Sequence, residues 1–153
     1  MRIIAPQKLL PQGLSGIHVL DDVKDHKLKS LAISVTKEID ASYEECGEGF
    51  MAEDGHHGLI IQTTDGDIVS FIIWMPWTMD PDDTTAWIGT AWTREDYRGR
   101  GLYRELYGAL KILAREQNLP SMGAGVYARN MVSRVAHEAL GMSPTTLYYT
   151  EML

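Results

Sequence analysis

Apolar residues recur at Leu28, Leu31, Ala32, Val35 and Ile39. The steps of three and four put them on one face of a 3.6-residue period, which predicts a helix from about Asp22 to Tyr43. Asp21 or Asp22 would serve as its N-cap. Just before it, Ile17-His18-Val19-Leu20 reads as a first strand, and the stretch from Glu44 to Gly58 is polar and broken by glycine, a loop or a short second helix. The period then changes. Two β-branched runs, Leu59 to Thr63 and Ile68 to Trp74, flank Asp65-Gly66, the pair that favours a type I′ hairpin turn. Met79 to Thr84, with Asp80, Pro81, Asp82 and Asp83, reads as an acidic loop, and a strand rich in Trp and Thr follows, from Ala86 to Thr93.

Beyond that strand the helical period returns twice. Leu102, Leu106, Ala109, Leu110 and Leu113 predict a helix to about Gln117, even though Gly108 costs about 1 kcal/mol relative to Ala. Ser121 to Val126 predicts a short strand. Val132, Val135, Ala136, Ala139 and Leu140 mark a last helix, closed by Gly141. Opposite that apolar face, Asn130, Ser133, Arg134 and His137 form a polar stripe, the arrangement of an ordinary solvated face. Leu147 to Leu153 predicts a final strand. Hairpins come early and strand–helix–strand units late. That order predicts an α/β (α+β) domain with a mixed, mostly antiparallel sheet, a parallel portion, and helices on both faces.

At 153 residues the chain is expected to be one domain with one core. The longest apolar run, Phe71 to Trp77, is too short to span a bilayer, and the N-terminus lacks the apolar stretch of a signal peptide. Cys46 is the single cysteine, so no internal disulfide can form and a reducing, cytoplasmic setting is expected. Net charge is −7. A broad basic face for nucleic acid is therefore not expected, whereas cationic amines would be attracted at long range.

The chemistry concentrates where the Trp-rich strand meets the next helix. Tyr97-Arg98-Gly99-Arg100-Gly101 forms a basic glycine turn that ends the strand and opens the helix. Helix N-termini present backbone N–H groups without partners and a positive dipole end, and glycines let a ligand reach the backbone. Two arginines add full charges. The combination suits a pyrophosphate or similar polyanion.

The same residues resemble the acetyl-CoA-binding motif of the GCN5-related N-acetyltransferase (GNAT) superfamily, Arg/Gln-x-x-Gly-x-Gly/Ala. Arg98, Gly101 and Tyr103 fall on its three fixed positions, with bulky Tyr103 where a small residue is usual. Its ring either crowds the pyrophosphate or points away. The resemblance continues through Val126 to Asn130, like the family's fifth strand and the Asn that opens the next helix, and through Glu138 to Met142, with Met142 for the usual Phe. It covers roughly residues 55 to 153. It implies an N-acetyltransferase with a splayed parallel strand pair, binding acetyl-CoA and no metal. Gly99, Arg100, Gly101, Leu102 and Tyr103 would hold pyrophosphate by backbone N–H groups, aided by the side chains of Arg98, Arg100 or Arg104. Ala91, Trp92 and Thr93 would pair with the pantetheine arm, and Asn130 would contact the cofactor. His137 stands where many members carry a Tyr that protonates the departing thiolate, and an imidazole can also donate a proton near neutrality.

For the amine base, Glu48, Glu53, Asp54, Asp80, Asp82 and Asp83 are candidates, as is deprotonation through water. The acceptor is a small-molecule or peptide amine, and Trp74 and Trp77 are candidates to line its pocket. Only eleven residues follow Met142, room for one strand where the family commonly has two, so a wall of the acceptor site would be missing or supplied by a second copy in a homodimer. A non-catalytic acyl-CoA sensor on the same fold is the alternative reading. Adjacent His56 and His57 lack the spacing of a metal site. A dinucleotide-binding domain would carry its glycine turn after the first strand rather than after the fourth.

Overall fold

The computed structural model describes residues 2–42, 55–80, 83–126 and 130–145, without the side chains at 40, 42, 79 and 80. Six strands form one sheet in chain order: β1 (Arg2–Ile4), β2 (Ile17–Leu20), β3 (His57–Gln62), β4 (Ile68–Asp80), β5 (Asp83–Thr93) and β6 (Ser121–Ala124). Every neighbouring pair is antiparallel except β5 and β6, which are parallel. Three helices accompany it: α1 (Leu28–Ser42), α2 (Leu102–Glu116) and α3 (Met131–Ala139). The mixed, mostly antiparallel sheet with a parallel pair is the architecture the hydrophobic pattern predicts.

Strand alternation divides the core. Leu59, Ile61, Val69, Ile72, Trp74, Ala86 and Ile88 face α2 and pack on Leu102, Leu106, Ala109, Leu110 and Leu113. Ile60, Phe71 and Ile73 face the other way, onto Leu28, Ala32 and Val35 of α1. Each large aliphatic side chain so buried contributes ~2 kcal/mol.

Several local features differ from the sequence reading. α1 starts at Leu28, not near Asp22, because the Asp22 carboxylate accepts N–H groups from Lys24 (2.8 Å) and Gly55 (3.2 Å) and so closes a turn instead of capping the helix. The Asp65-Gly66 hairpin is not type I′. Gly66 alone takes a left-handed φ (+91°), and its N–H bonds to Thr63 O at 2.9 Å, giving a type I turn with a glycine bulge. The expected acidic loop is instead the far end of a long hairpin, paired out to Asp80 and Asp83 and tied by the Thr78 and Thr84 hydroxyls at 2.9 Å. Pro76 lies past His57, where pairing with β3 has ended, so its missing N–H leaves no ladder bond unmade. β1 leaves no signal in the sequence, since three residues carry too little pattern. The predicted final strand from Leu147 to Leu153 starts beyond the described residues.

Candidate active site

β5 and β6 pair only over Thr85–Ile88 and Ser121–Ala124. As β4 advances from Ile73 to Trp74, its partner on β5 steps from Thr90 to Ile88, so Gly89 is an extra residue in the ladder. A bulge of this kind bends and twists its strand. It stands where the pairing with β6 stops, and β5 runs on to Thr93 with that edge unpaired among the described residues.

The direction of the edge groups follows from one bond. Arg94 N–H donates to Val69 O across β4 at 2.8 Å. N–H and C=O groups alternate sides along a strand, so Trp92 also turns its backbone to β4, while Ala91 and Thr93 turn theirs to the open edge. The side chains agree. Ser70 and Thr93 hydroxyls meet at 2.8 Å, the close approach of a non-hydrogen-bonded pair. The Trp92 ring packs on the α1 side, 6.0 Å from the Phe71 ring. Of the three residues expected to offer backbone to a pantetheine arm, Ala91 and Thr93 face the opening and Trp92 does not.

A short 3₁₀ turn, Glu95–Tyr97, separates this edge from the glycine turn. Arg94 is held there by Asp96 through two bonds (2.7 and 2.9 Å), and this pairing lowers the Asp96 pKa. Arg98 Nε donates to Thr93 O at 2.8 Å, so this arginine ties the turn to the strand end. The Arg100 guanidinium lies over the Tyr97 ring at 5.4 Å, and Arg104 is exposed on the first turn of α2. Gly99 (φ +74°) and Gly101 (φ +81°) are both left-handed, and a Cβ at either would meet only open space. Glycine is needed there for backbone shape, not for packing. Gly101 caps α2 without a side-chain bond, and the first intrahelical bond runs from Glu105 N–H to Gly101 O (3.1 Å). The N–H groups of Leu102, Tyr103 and Arg104 therefore have no partner within the helix.

Asn130 caps α3, its Oδ1 accepting Ser133 N–H at 3.1 Å. Gly141 ends α3 in a Schellman motif, with Met142 N–H on His137 O (3.1 Å) and Gly141 N–H on Glu138 O (3.0 Å). The faces of α3 reverse the expectation. Met131, Val132 and Val135 are exposed, Val132 at 83%, while Ser133 and His137 are partly buried and His137 reaches α2. His137 Nε2 meets Tyr103 Oη at 2.7 Å, and the two rings pack edge to face at 5.4 Å. His137 Nδ1 lies 2.7 Å from Ser133 O and 3.2 Å from Ser133 Oγ. Burial pushes the Tyr103 phenol well above its ordinary range, with a smaller contribution from Tyr107. Tyr103 thus points to α3, which answers the question left by its bulk.

The Trp74 ring is buried, with His57 stacked on it at 4.6 Å, whereas Trp77 is 50% exposed and lies 6.1 Å from Trp87. Of the carboxylate candidates, Glu48, Glu53, Asp54 and Asp82 lie outside the described residues; Asp83 is exposed at the start of β5.

Residues 20–142 match the family model described as "Acetyltransferase (GNAT) family". The chain belongs to this family. The match reaches further toward the N-terminus than the motif resemblance, and takes in the whole of α1. Solved structures agree in fold. A mutant of the BH1408 protein from Bacillus halodurans superposes with a TM-score of 0.71 at 15% identity, covering 91% of this chain and 99% of that one. The aminoglycoside N-acetyltransferase AAC(6')-Iy in complex with CoA gives 0.61 at 16% identity, over 90% and 99%. A ribosomal-protein-alanine N-acetyltransferase from Brucella melitensis biovar Abortus 2308 gives 0.65 at 16% identity, over 92% and 99%. No curated protein matches the sequence. Among the described residues of this GNAT domain, no helix is long and apolar enough to cross a membrane.

Proposed function

We propose that this GNAT domain transfers an acetyl group from acetyl-CoA to a primary amine by direct attack, without a covalent enzyme intermediate. The observation that carries the reading is the continuity of the open β5 edge with the glycine turn at the start of α2. An extended chain with a pyrophosphate at one end suits both parts at once. The left-handed glycines and the unpartnered N–H groups of Leu102, Tyr103 and Arg104 would hold the pyrophosphate, with charge from Arg100 and Arg104. Ala91 and Thr93 would pair with the pantetheine arm in the manner of an added strand. Acetyl-CoA, when bound there, supplies an activated acyl carbon. The Thr93 or Ala91 N–H would stabilise oxyanion charge at that edge. Asn130 keeps its amide NH₂ for the cofactor, and His137 provides the proton for the departing thiolate.

Relatives of this fold include aminoglycoside acetyltransferases, and a small cationic amine fits the acidic composition of this chain. Trp77 beside Trp87 adds an exposed aromatic surface at the end of the long hairpin. Acetyl-CoA use and the single cysteine both suit the cytoplasm. The test is thiol release from acetyl-CoA across a panel of polyamines, aminoglycosides, amino acids and peptides. Release with at least one amine is expected, together with a rise in Tm in excess CoA. A rise in Tm without release from any amine would instead identify an acyl-CoA sensor.

A further inference from the structure

The Tyr103–His137 contact joins the glycine turn to α3 through the one residue that departs most from the motif. Ser133 O is a carbonyl and can only accept, so His137 Nδ1 carries a hydrogen toward it at 2.7 Å. With Nδ1 protonated, a neutral imidazole presents a lone pair at Nε2, and the Tyr103 hydroxyl donates to it at 2.7 Å. Both ring nitrogens are thereby engaged within the protein, and His137 has no nitrogen left to present directly to a ligand. Any proton exchanged at Nε2 meets Tyr103 Oη first.

We infer that Tyr103 and His137 act as one proton-donating pair, in which the Tyr103 hydroxyl orients the imidazole and carries the proton outward from Nε2. The inference rests on the acetyl-transfer reading and deepens it. When His137 is protonated, both nitrogens donate: Nδ1–H to Ser133 O and Nε2–H to Tyr103 Oη. The phenolic hydrogen can then rotate away from the ring and point outward. As the acyl carbon–sulfur bond breaks, one proton passes from Oη to sulfur while another passes from Nε2 to Oη. An S–H bond forms, His137 ends neutral, and Tyr103 ends as it began. Because burial disfavours the phenolate, the two transfers belong to one event. Tyr103 alone would be a poor acid here; with His137 behind it, it need never carry charge.

The test begins on the free protein. Imidazole ¹⁵N NMR should find neutral His137 as the Nδ1–H tautomer, and Tyr103→Phe should let the Nε2–H tautomer appear, since the phenyl ring keeps the shape and removes the donor. In turnover, Tyr103→Phe should lower kcat by roughly 100-fold, the scale of general acid catalysis, with the KM for acetyl-CoA within about twofold. The double variant Tyr103→Phe/His137→Ala should be no slower than the slower single variant, as for residues acting as a unit. An acetyl thioester of a more acidic thiol needs less protonation and should narrow the gap between wild type and Tyr103→Phe, a change that loosened packing would not produce. An Nε2–H tautomer in the free wild type, or an unchanged kcat in Tyr103→Phe, overturns the inference. If the wild type binds acetyl-CoA but releases no thiol with any amine, the transfer reading fails and the proton-carrying role with it, while the tautomer still decides the pairing.

Discussion

Arg98 Nε donates to the Thr93 carbonyl across the corner between β5 and the glycine turn, at 2.8 Å. This bond fixes the angle at which the turn leaves the open strand edge. It also occupies a carbonyl that would otherwise point out from the open edge of β5. Arg98 therefore shapes the site rather than supplying only charge. Arg98→Ala should weaken CoA binding by roughly fivefold, the scale of one exposed charge-assisted bond. Arg98→Lys keeps the charge but not the planar fork, and should recover little of the loss. Calorimetric titration of both variants with CoA measures this. Full recovery by lysine would show that charge alone matters at this position.

Glu105 anchors the N-terminal segment from the first turn of α2. It is 7% exposed, and its carboxylate accepts the backbone N–H groups of Gln7 (2.6 Å) and Lys8 (3.1 Å). Removing a buried acceptor strands both donors, so Glu105→Ala should cost about 2–3 kcal/mol of folding stability. Glu105→Gln keeps one acceptor oxygen and should cost less. Chemical denaturation checks the order, and CoA affinity should change little in either variant, because the bonded segment lies beside Glu105 and Gly108 and not in the glycine turn.

The strongest sequence signals were those with a long period or a fixed local geometry. The apolar stripe from Leu102 to Leu113 located α2 to within a residue or so, because eight of its residues are buried on one side. Gly99 and Gly101 announce a turn, and both take a left-handed φ that glycine accepts readily. Features set by distant residues were hidden. The turn at Asp22 depends on Gly55, and the open β5 edge depends on where β6 stops pairing. The Tyr103–His137 contact spans 34 positions and joins two side chains that looked unrelated, one a misfit in a motif and the other part of a polar stripe. The exposed Val132 and Val135 show that an amphipathic pattern gives a helix but not the direction in which it faces.

His26 should make stability depend on pH just above the carboxylate range. Its Nδ1 accepts Leu28 N–H at 3.0 Å at the start of α1, and burial first, then Lys27, holds its pKa below the ordinary histidine value of 6.5. A base with a depressed folded pKa binds fewer protons folded than unfolded. Its stabilisation is therefore complete above the unfolded value near 6.5 and is lost as pH falls below it, until the folded group protonates as well. Tm should fall as pH is lowered from about 7 to 5. His26→Asn offers Leu28 an oxygen acceptor that does not titrate and should flatten that part of the curve. An equal slope in both proteins would assign the fall to other groups.

Gly101→Glu should abolish most CoA binding, and Gly101→Ala separates the reasons. Gly101 sits at φ +81°, where any side chain is strained, so both variants should lose about 1 kcal/mol of stability. A Cβ there meets nothing within 4 Å, so alanine adds strain without a clash. Glutamate adds the same strain and places a carboxylate at the N-terminus of α2, beside the N–H groups of Leu102, Tyr103 and Arg104. There it would satisfy the helix end itself and repel a second anion. Gly101→Ala should thus bind CoA within about tenfold of wild type, while Gly101→Glu should lose at least ~100-fold, a gap of about 1.4 kcal/mol or more. Raised salt should weaken wild-type binding and narrow the gap, because part of it is electrostatic. Calorimetry at two salt concentrations reads all four quantities. If glutamate and alanine bind alike, no anion sits at this turn, and the pyrophosphate site must lie elsewhere along the β5 edge.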